Sequence, residues 1–368
     1  NIGAGRPGIA YQARQLGLAF NAVLGVIMSL FLSLGAGTIL SGVGVADALM
    51  QPAKTYLQIV GGFCILNALI PICSSYLRAF GFSKEPLYAS IIGNVINFCL
   101  NAFFLFVLHK GVAGVATATV ISRIINLVIV VLLGAVLVKA KQHPERESNR
   151  AVMGQIIRIG LPSACETAIY NVSMTLVIRF LNQMDAQGLN VTARSYTMQI
   201  TNFSYCVGAA LAQANAIMTG WHIGAKEYDA CDRGTKKAAV IGVIVAVILE
   251  TVFTLCSGWI MQLFSKDPQM VSLVGKLLAI DIVLEIGRVT NLVYGQALKT
   301  SGDAVFPVVM GACFMILCSV GGTYLFGIRL GLLAVGAYIG MTGDECVRAV
   351  GMYLRWKSGK WKNKGLVD

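Results

Sequence analysis

The sequence predicts an all-α polytopic membrane protein built from two homologous six-helix bundles. Two observations predict it. First, 56% of the 368 residues are hydrophobic, 12% are charged, and the mean hydropathy is +0.72. Soluble domains carry about 25% charged residues, so a chain this apolar needs a bilayer as its solvent. Second, the chain repeats itself at one constant offset, the step from Ile2 to Ile223. Ile2-Gly3-Ala4 returns as Ile223-Gly224-Ala225, and Leu77-Arg78 returns as Leu298-Lys299. Leu34 matches Leu255, Leu57 matches Leu278, Ile59 matches Ile280, Gly81 matches Gly302 and Pro86 matches Pro307. Apolar matches alone carry little weight here. Ordered Gly, Pro and basic positions at a single offset carry more, and internal duplication is the usual build of a secondary transporter.

Ten hydrophobic segments follow one another, centred on 15–41, 53–79, 85–108, 112–138, 157–182, 192–221, 237–264, 270–298, 304–327 and 330–354. Each can cross about 30 Å as a helix, and each is far longer than a barrel strand. The second half starts near Ile156, so the offset implies about 65 residues before Asn1, enough for two more helices at ~20 residues each. That would make twelve helices, six per half, and an even number makes the halves parallel repeats. The expected organisation is an N-lobe at 1–139 (the end of helix two, then helices three to six), a linker at 140–155, a C-lobe at 156–356 (helices seven to twelve) and a basic tail at 357–368. Lys139 to Gln155 reads as the linker because it is polar, mixed in charge and carries Pro144.

The net charge of +12 would suggest nucleic acid in a soluble protein. Here its distribution argues for membrane orientation, with no nucleic-acid partner. One set of loops holds nineteen Lys and Arg, including Arg14, Arg78, Lys141, Arg158, Lys236, Lys299, Arg355 and Lys364. The other set holds at most seven, with Lys54, Lys110, Lys266 and Arg329 clearly there and Arg179, Arg194 and Lys276 at segment ends. The positive-inside rule then puts the first set and the C-terminal tail in the cytoplasm.

Ionisable groups inside the bilayer cost about 2.5–3.5 kcal/mol each on insertion scales and are functional candidates by default. Glu166 follows Gly160-Leu161-Pro162. With Pro162 opening a helix, Glu166 falls one turn inside it, with Tyr170 on the same face. It reads as a proton- or cation-linked carboxylate or as a carboxylate favoured by the helix dipole. Asp281, Glu285 and Arg288 share one face, and Asn291 extends it. Two carboxylates against one Arg suit a proton or a metal cation; the other reading is a Glu285–Arg288 pair locking the helix in place. Glu250 sits mid-segment with no local basic partner. Arg123 and Arg348, at nearly equivalent places in the last helix of each half, read as structural groups bonding backbone carbonyls.

Gln199 and Asn202 lie on a helix rich in amides, which either bond neighbouring helices or line a wet cavity. Pro71 is expected to kink the 53–79 helix. Asn190-Val191-Thr192 is a glycosylation sequon read as fortuitous. The ten Cys residues form no CxxC pair and read as small buried hydrophobes. His109, His143 and His222 lie at no metal-ligand spacing. No nucleophile–base set or phosphate loop is visible, so an enzyme is not expected.

At these residues the chain resembles the multidrug and toxic compound extrusion (MATE) family. The carriers are Ile2-Gly3-Ala4-Gly5-Arg6 and its repeat Ile223-Gly224-Ala225-Lys226-Glu227. Leu77-Arg78-Ala79-Phe80-Gly81 and Leu298-Lys299-Thr300-Ser301-Gly302-Asp303 look like the family's Gly-ended turns. The small-residue run Gly111 to Thr119 and Gly160-Leu161-Pro162 resemble its sixth and seventh helices. The resemblance covers essentially the whole chain. It implies a V-shaped cavity between two bundles, and export of organic cations or drugs in exchange for H⁺ or Na⁺, with no fixed metal and no cofactor.

The resemblance makes Glu166 the nearest candidate for the family's seventh-helix Glu. In sodium-linked members that Glu sits about a turn deeper, near Tyr170 and Asn171. A tenth-helix acid of those members aligns near Arg288, which is basic here.

The expected coupling residues are therefore Glu166, Asp281, Glu285 and Arg288, with Tyr170, Asn171, Gln199, Asn202, Asn291 and Glu250 as cavity-lining candidates. The expected setting is a monomer in a bacterial plasma membrane. The alternative is a flippase for a lipid-linked oligosaccharide or similar amphiphile.

Overall fold

The computed structural model describes residues 1–43, 47–139, 143–185 and 188–364. Lys141 and the rest of 140–142 in the expected linker, and 365–368 of the tail, lie outside the described residues. Among the described residues the chain is helical with no strand. The helices are α1 (Pro7–Leu34), α2 (Ala36–Val43), α3 (Asp47–Gly62), α4 (Ile65–Ala79), α5 (Lys84–Ala102) and α6 (Gly111–Leu137). They continue as α7 (Asn149–Met184), α8 (Leu189–Gly224), α9 (Tyr228–Leu255), α10 (Ser257–Met261), α11 (Pro268–Thr300), α12 (Val305–Phe314) and α13 (Leu333–Lys357). α5 runs on through a π-helical turn at Phe103–Val107, and α12 through two, at Met315–Val320 and Thr323–Arg329.

The sequence repeat is a repeat of helix ends. The step that takes Ile2 to Ile223 also takes both ends of α1 to both ends of α9, Pro7 to Tyr228 and Leu34 to Leu255. It takes the starts of α2, α3 and α5 to those of α10, α11 and α12, and the end of α4 to that of α11. Gly81 and Gly302 close equivalent turns with φ of 90° and 91°, a left-handed conformation that glycine adopts without Cβ strain. One extra residue in the second half then lengthens the step, so that Gly111, opening α6, answers Leu333, opening α13. By that register the counterpart of Arg348 is Asn126, and Arg123 corresponds to Glu345; the two arginines are not equivalent.

The chain divides into two compact units, Asn1–Ile2 with Arg6–Ile156, and Gly3–Gly5 with Ile157–Asp368. In the first, Cys73, Tyr76, Leu77 and Val130 form the core. Residues expected in the linker pack onto the start of α1. Gln12 Nε2 donates to the Glu147 carbonyl at 2.7 Å and to Asn149 Oδ1 at 2.6 Å. Arg146 donates to the Gly8 carbonyl at 3.1 Å. The expected kink at Pro71 is corrected: α4 runs through Pro71, and the helix bends by 43° between Gly62 and Ile65. The Ile65 N–H freed at that break is taken up by Ser29 Oγ of α1 at 3.1 Å.

The second unit has two apolar layers. Val177, Leu181, Leu277, Leu278, Leu284 and Tyr338 form one; Val293, Tyr294, Leu298, Trp356 and Trp361 form the other. Glu285 and Arg288 lie along α11 between the residues it gives to each, and Asp281 lies among those it gives to the first. Asn190 is buried, holds Asp185 through its Nδ2 and accepts from the Ala334 N–H at 3.1 Å, so the sequon is a structural contact. Large apolar side chains elsewhere face outward, as Ile27 and Phe31 of α1 and Ile244 and Ile248 of α9 do. Such surfaces are stable against lipid and not against water. Among the described residues five helices are apolar and long enough to cross a bilayer, or six if α3 and α4 form one span. α7, α8, α11 and α13 are as long, and polar side chains interrupt them.

Candidate functional site

α7, α8, α11 and α13, the helices that polar side chains interrupt, build most of the site, and the apolar α9 adds Glu250. α7 starts at Asn149, so Pro162 lies inside it and Glu166 is mid-helix. This corrects the expected position one turn from a helix N-terminus, and with it the dipole account of the carboxylate. The Lys299 ammonium of α11 sits 2.6 Å from Glu166 Oε2, at an angle too poor for a hydrogen bond, and each side chain is 18% exposed.

About three turns away, α11 presents Arg288 to two carboxylates. It pairs with Glu285 one turn earlier and lies 3.7 Å from Glu345 of α13. Asn291 donates to Glu345 at 3.0 Å. Arg348 of α13 forms two hydrogen bonds to Asp344, both at 2.8 Å, and meets Glu345 at 3.0 Å. Ser319 donates to Asp344 at 2.9 Å. Arg348 is thus held by carboxylates, correcting the expectation of backbone carbonyls. Forked guanidinium–carboxylate pairs fix geometry as well as charge. A cavity of about 520 Å³ opens among these groups, lined by Glu166, Tyr170, Asn171, Arg288, Lys299 and Arg348.

Behind Arg288 lies a second charged group. Glu250 of α9 and Glu285 are fully buried and Asp281 is 2% exposed. One oxygen from each lies within 4.8 Å of the others. Both Glu250 oxygens, Asp281 Oδ2 and Glu285 Oε2 have no hydrogen-bond partner. The three oxygens are close enough together to share one cation, since hard cations take carboxylate oxygens at about 2.3–2.6 Å for calcium. Three carboxylates against one guanidinium leave excess negative charge that a proton or a cation would balance. Glu250 lies in this cluster and is not among the residues lining the larger cavity.

A smaller cavity of about 210 Å³ is lined by Tyr170, Arg194, Asn202, Asp281, Arg288 and Tyr338. Tyr170 and Arg288 face both cavities. Gln199 is not brought to them; it lines a separate apolar groove with Phe203, Phe253 and Phe264, and Asn202 sits between groove and small cavity. Sequence reasoning missed Lys299, Asp344 and Glu345. The signal for the last two was present, since acids three and four residues before an Arg in an apolar segment share its helix face, as Glu285 does three residues before Arg288.

The MatE family model matches residues 1–103 and 162–325. A relative from Bacillus subtilis (strain 168), "Uncharacterized transporter YisQ", is 32% identical over 97% of this chain and 80% of its own length. The chain belongs to the MatE family. As a member it is a multi-pass membrane transporter and not an enzyme. A second relative, "Probable multidrug resistance protein NorM" of Thermotoga maritima, is 22% identical over 92% of the chain and 76% of its own length. The fold matches a solved outward-facing multidrug resistance MATE family transporter with a TM-score of 0.85 at 17% identity, over 98% of this chain and 84% of that one.

Proposed function

We propose that this MatE protein is a secondary active antiporter. It exports small organic cations or drugs in exchange for H⁺ or Na⁺ by alternating access. The observation that carries the reading is the buried Glu250–Asp281–Glu285 cluster, unpaired on four oxygens and joined through Arg288 to the 520 Å³ cavity. A proton or sodium ion there weakens the hold of Glu285 on Arg288. Arg288 then turns its charge to Glu345 and the cavity, which lowers the affinity for a cationic substrate. Ion and substrate thus oppose each other through one guanidinium. Such linkage is reciprocal, and it drives exchange when each ligand favours a different access state. Glu166, paired to Lys299, offers the substrate its carboxylate. The positive-inside bias supports an orientation with the tail in the cytoplasm, and the unit needs no second copy to complete its site.

The test is cationic-dye transport by the full chain in proteoliposomes, under a proton or a sodium gradient in turn. Movement driven by one gradient, and lost in Glu285→Gln, names the ion. Folded protein that moves no dye under either gradient would shift the reading to a lipid-linked amphiphile.

A further inference from the structure

Arg194 is a buried charge outside the coupling cluster, the Glu166–Lys299 pair and the Arg348–Asp344 pair. It stands in the second turn of α8 with 6% of its surface exposed. Its Nε has no hydrogen-bond partner, its Nη2 meets the thioether sulfur of Met174 at 3.7 Å, and its charge acts on the neighbouring Tyr338 hydroxyl. Among the described residues no carboxylate pairs with it, whereas Arg288 and Arg348 each have two. A thioether is a weak acceptor, and a guanidinium removed from water without an anion is costly. The side chain lines the 210 Å³ cavity, with Asn202, Thr201 and Tyr205 as further polar groups and Arg288 on another wall.

We infer that Arg194 is a subsite for a carboxylate carried by the substrate. This rests on reading the second unit as the substrate path, and it gives the acid of an amphoteric substrate a specific place in the cavity. Such a molecule would place its acid on Arg194, where the planar fork of a guanidinium takes a carboxylate through two parallel hydrogen bonds. Its basic group would meet Asp281 in the same cavity.

The experiment is equilibrium binding by fluorescence anisotropy, with the purified full chain in a non-ionic detergent. The probes are rhodamine B, which has a free carboxylate, and its ethyl ester, which does not. The wild type should bind rhodamine B about tenfold more tightly than the ester, the scale of one charge-assisted hydrogen bond. Arg194→Gln should erase that preference and leave the ester's affinity as it was; Arg194→Lys should keep part of it. No preference in the wild type, binding of neither probe, or an equal loss for both probes in Arg194→Gln overturns the subsite. Added phosphatidylglycerol that abolishes the preference would give Arg194 to a lipid headgroup and also overturn it. The unchanged ester affinity reports that the variant is folded. A carboxylate preference in binding without gradient-driven transport would leave the subsite standing and remove the antiporter reading.

Discussion

Ser29 and Glu250 occupy the same place in the two repeats. Ser29 accepts the Ile65 N–H at the break between α3 and α4. In the second repeat the corresponding helix, α11, has no break, and the backbone needs no such partner. The position is then filled by a carboxylate with no hydrogen bond, facing Asp281 and Glu285. Their counterparts are Val60 and Cys64, and that of Arg288 is Asn67. The repeat that keeps its helix continuous carries the charge. A similar exchange joins α5 to α6 and α12 to α13, where Asn97 donating to Ser122 at 3.3 Å answers Ser319 donating to Asp344.

Glu250→Gln should therefore separate stability from coupling. Burying an unpaired carboxylate is expensive, so neutralising it should leave the melting temperature unchanged or raised. If the cluster binds the driving ion, gradient-dependent transport should fall within the roughly 5–150-fold range of a typical coupling free energy. Paired thermal-shift and transport measurements check both. A variant that melts earlier and transports normally would make Glu250 a structural group.

The Glu166–Lys299 pair places an internal cation where an organic cation would sit. Lys299→Met should tighten binding of a cationic dye by about tenfold, or 1.4 kcal/mol, because Glu166 is freed. Glu166→Gln should weaken it, and the double variant should resemble Glu166→Gln. Dye titrations of the four proteins form a double-mutant cycle. Additive effects would mean that the two side chains do not share the ligand.

The helices were legible because each expected segment is a long run rich in apolar residues, and the repeat matches their ends. The start of α7 was not. Asn149 to Gln155 is polar like a linker, but Arg, Ala, Met and Gln are good helix formers, and the helix carries through Pro162. The bend after α3 offered Gly61-Gly62 as its signal, while Pro71 drew the expectation one segment further on. Asp281, Glu285, Arg288 and Asn291 were legible from helical spacing alone. Their joining with Glu250, and the meeting of Glu166 with Lys299, were not, because tertiary packing decides which faces meet. Lys299 reads as a loop charge when the segment is ended at Leu298.

Close backbone approach holds α11 against α13. A Cβ on Gly287 would lie 2.8 Å from the Cys346 nitrogen and 2.9 Å from the Glu345 carbonyl carbon. Gly287→Ala should push the helices apart at Arg288 and Glu345, costing about 1–3 kcal/mol as overpacking does and weakening dye binding as well. Gly343→Ala on α13, where a Cβ meets nothing within 4 Å, is the matched control and should melt like the wild type. Equal melting of both variants would remove this contact from the account.

The tail offers a test by pH. Asp303, in the turn between α11 and α12, is 1% exposed and is held by Arg355 and Lys364, each at 2.7 Å. Burial pushes its pKa up, but the hydrogen bonds and charges of the two bases outweigh that and hold it below the ordinary value. A depressed folded pKa means that the stabilisation is complete above the unfolded value, about 3.9 for aspartate, and is lost as the pH falls through the folded one. The bases are partly exposed, Lys364 at 39%, so solvent screening reduces the effect. Asp303→Asn should cost roughly 1–2 kcal/mol at pH 7. Melting curves of wild type and variant should converge as the pH is lowered towards 3. A gap of constant size across that range would show that the ion pairs do not carry the stability, leaving the stacked Trp356 and Trp361, 4.2 Å between ring centres, to hold the tail.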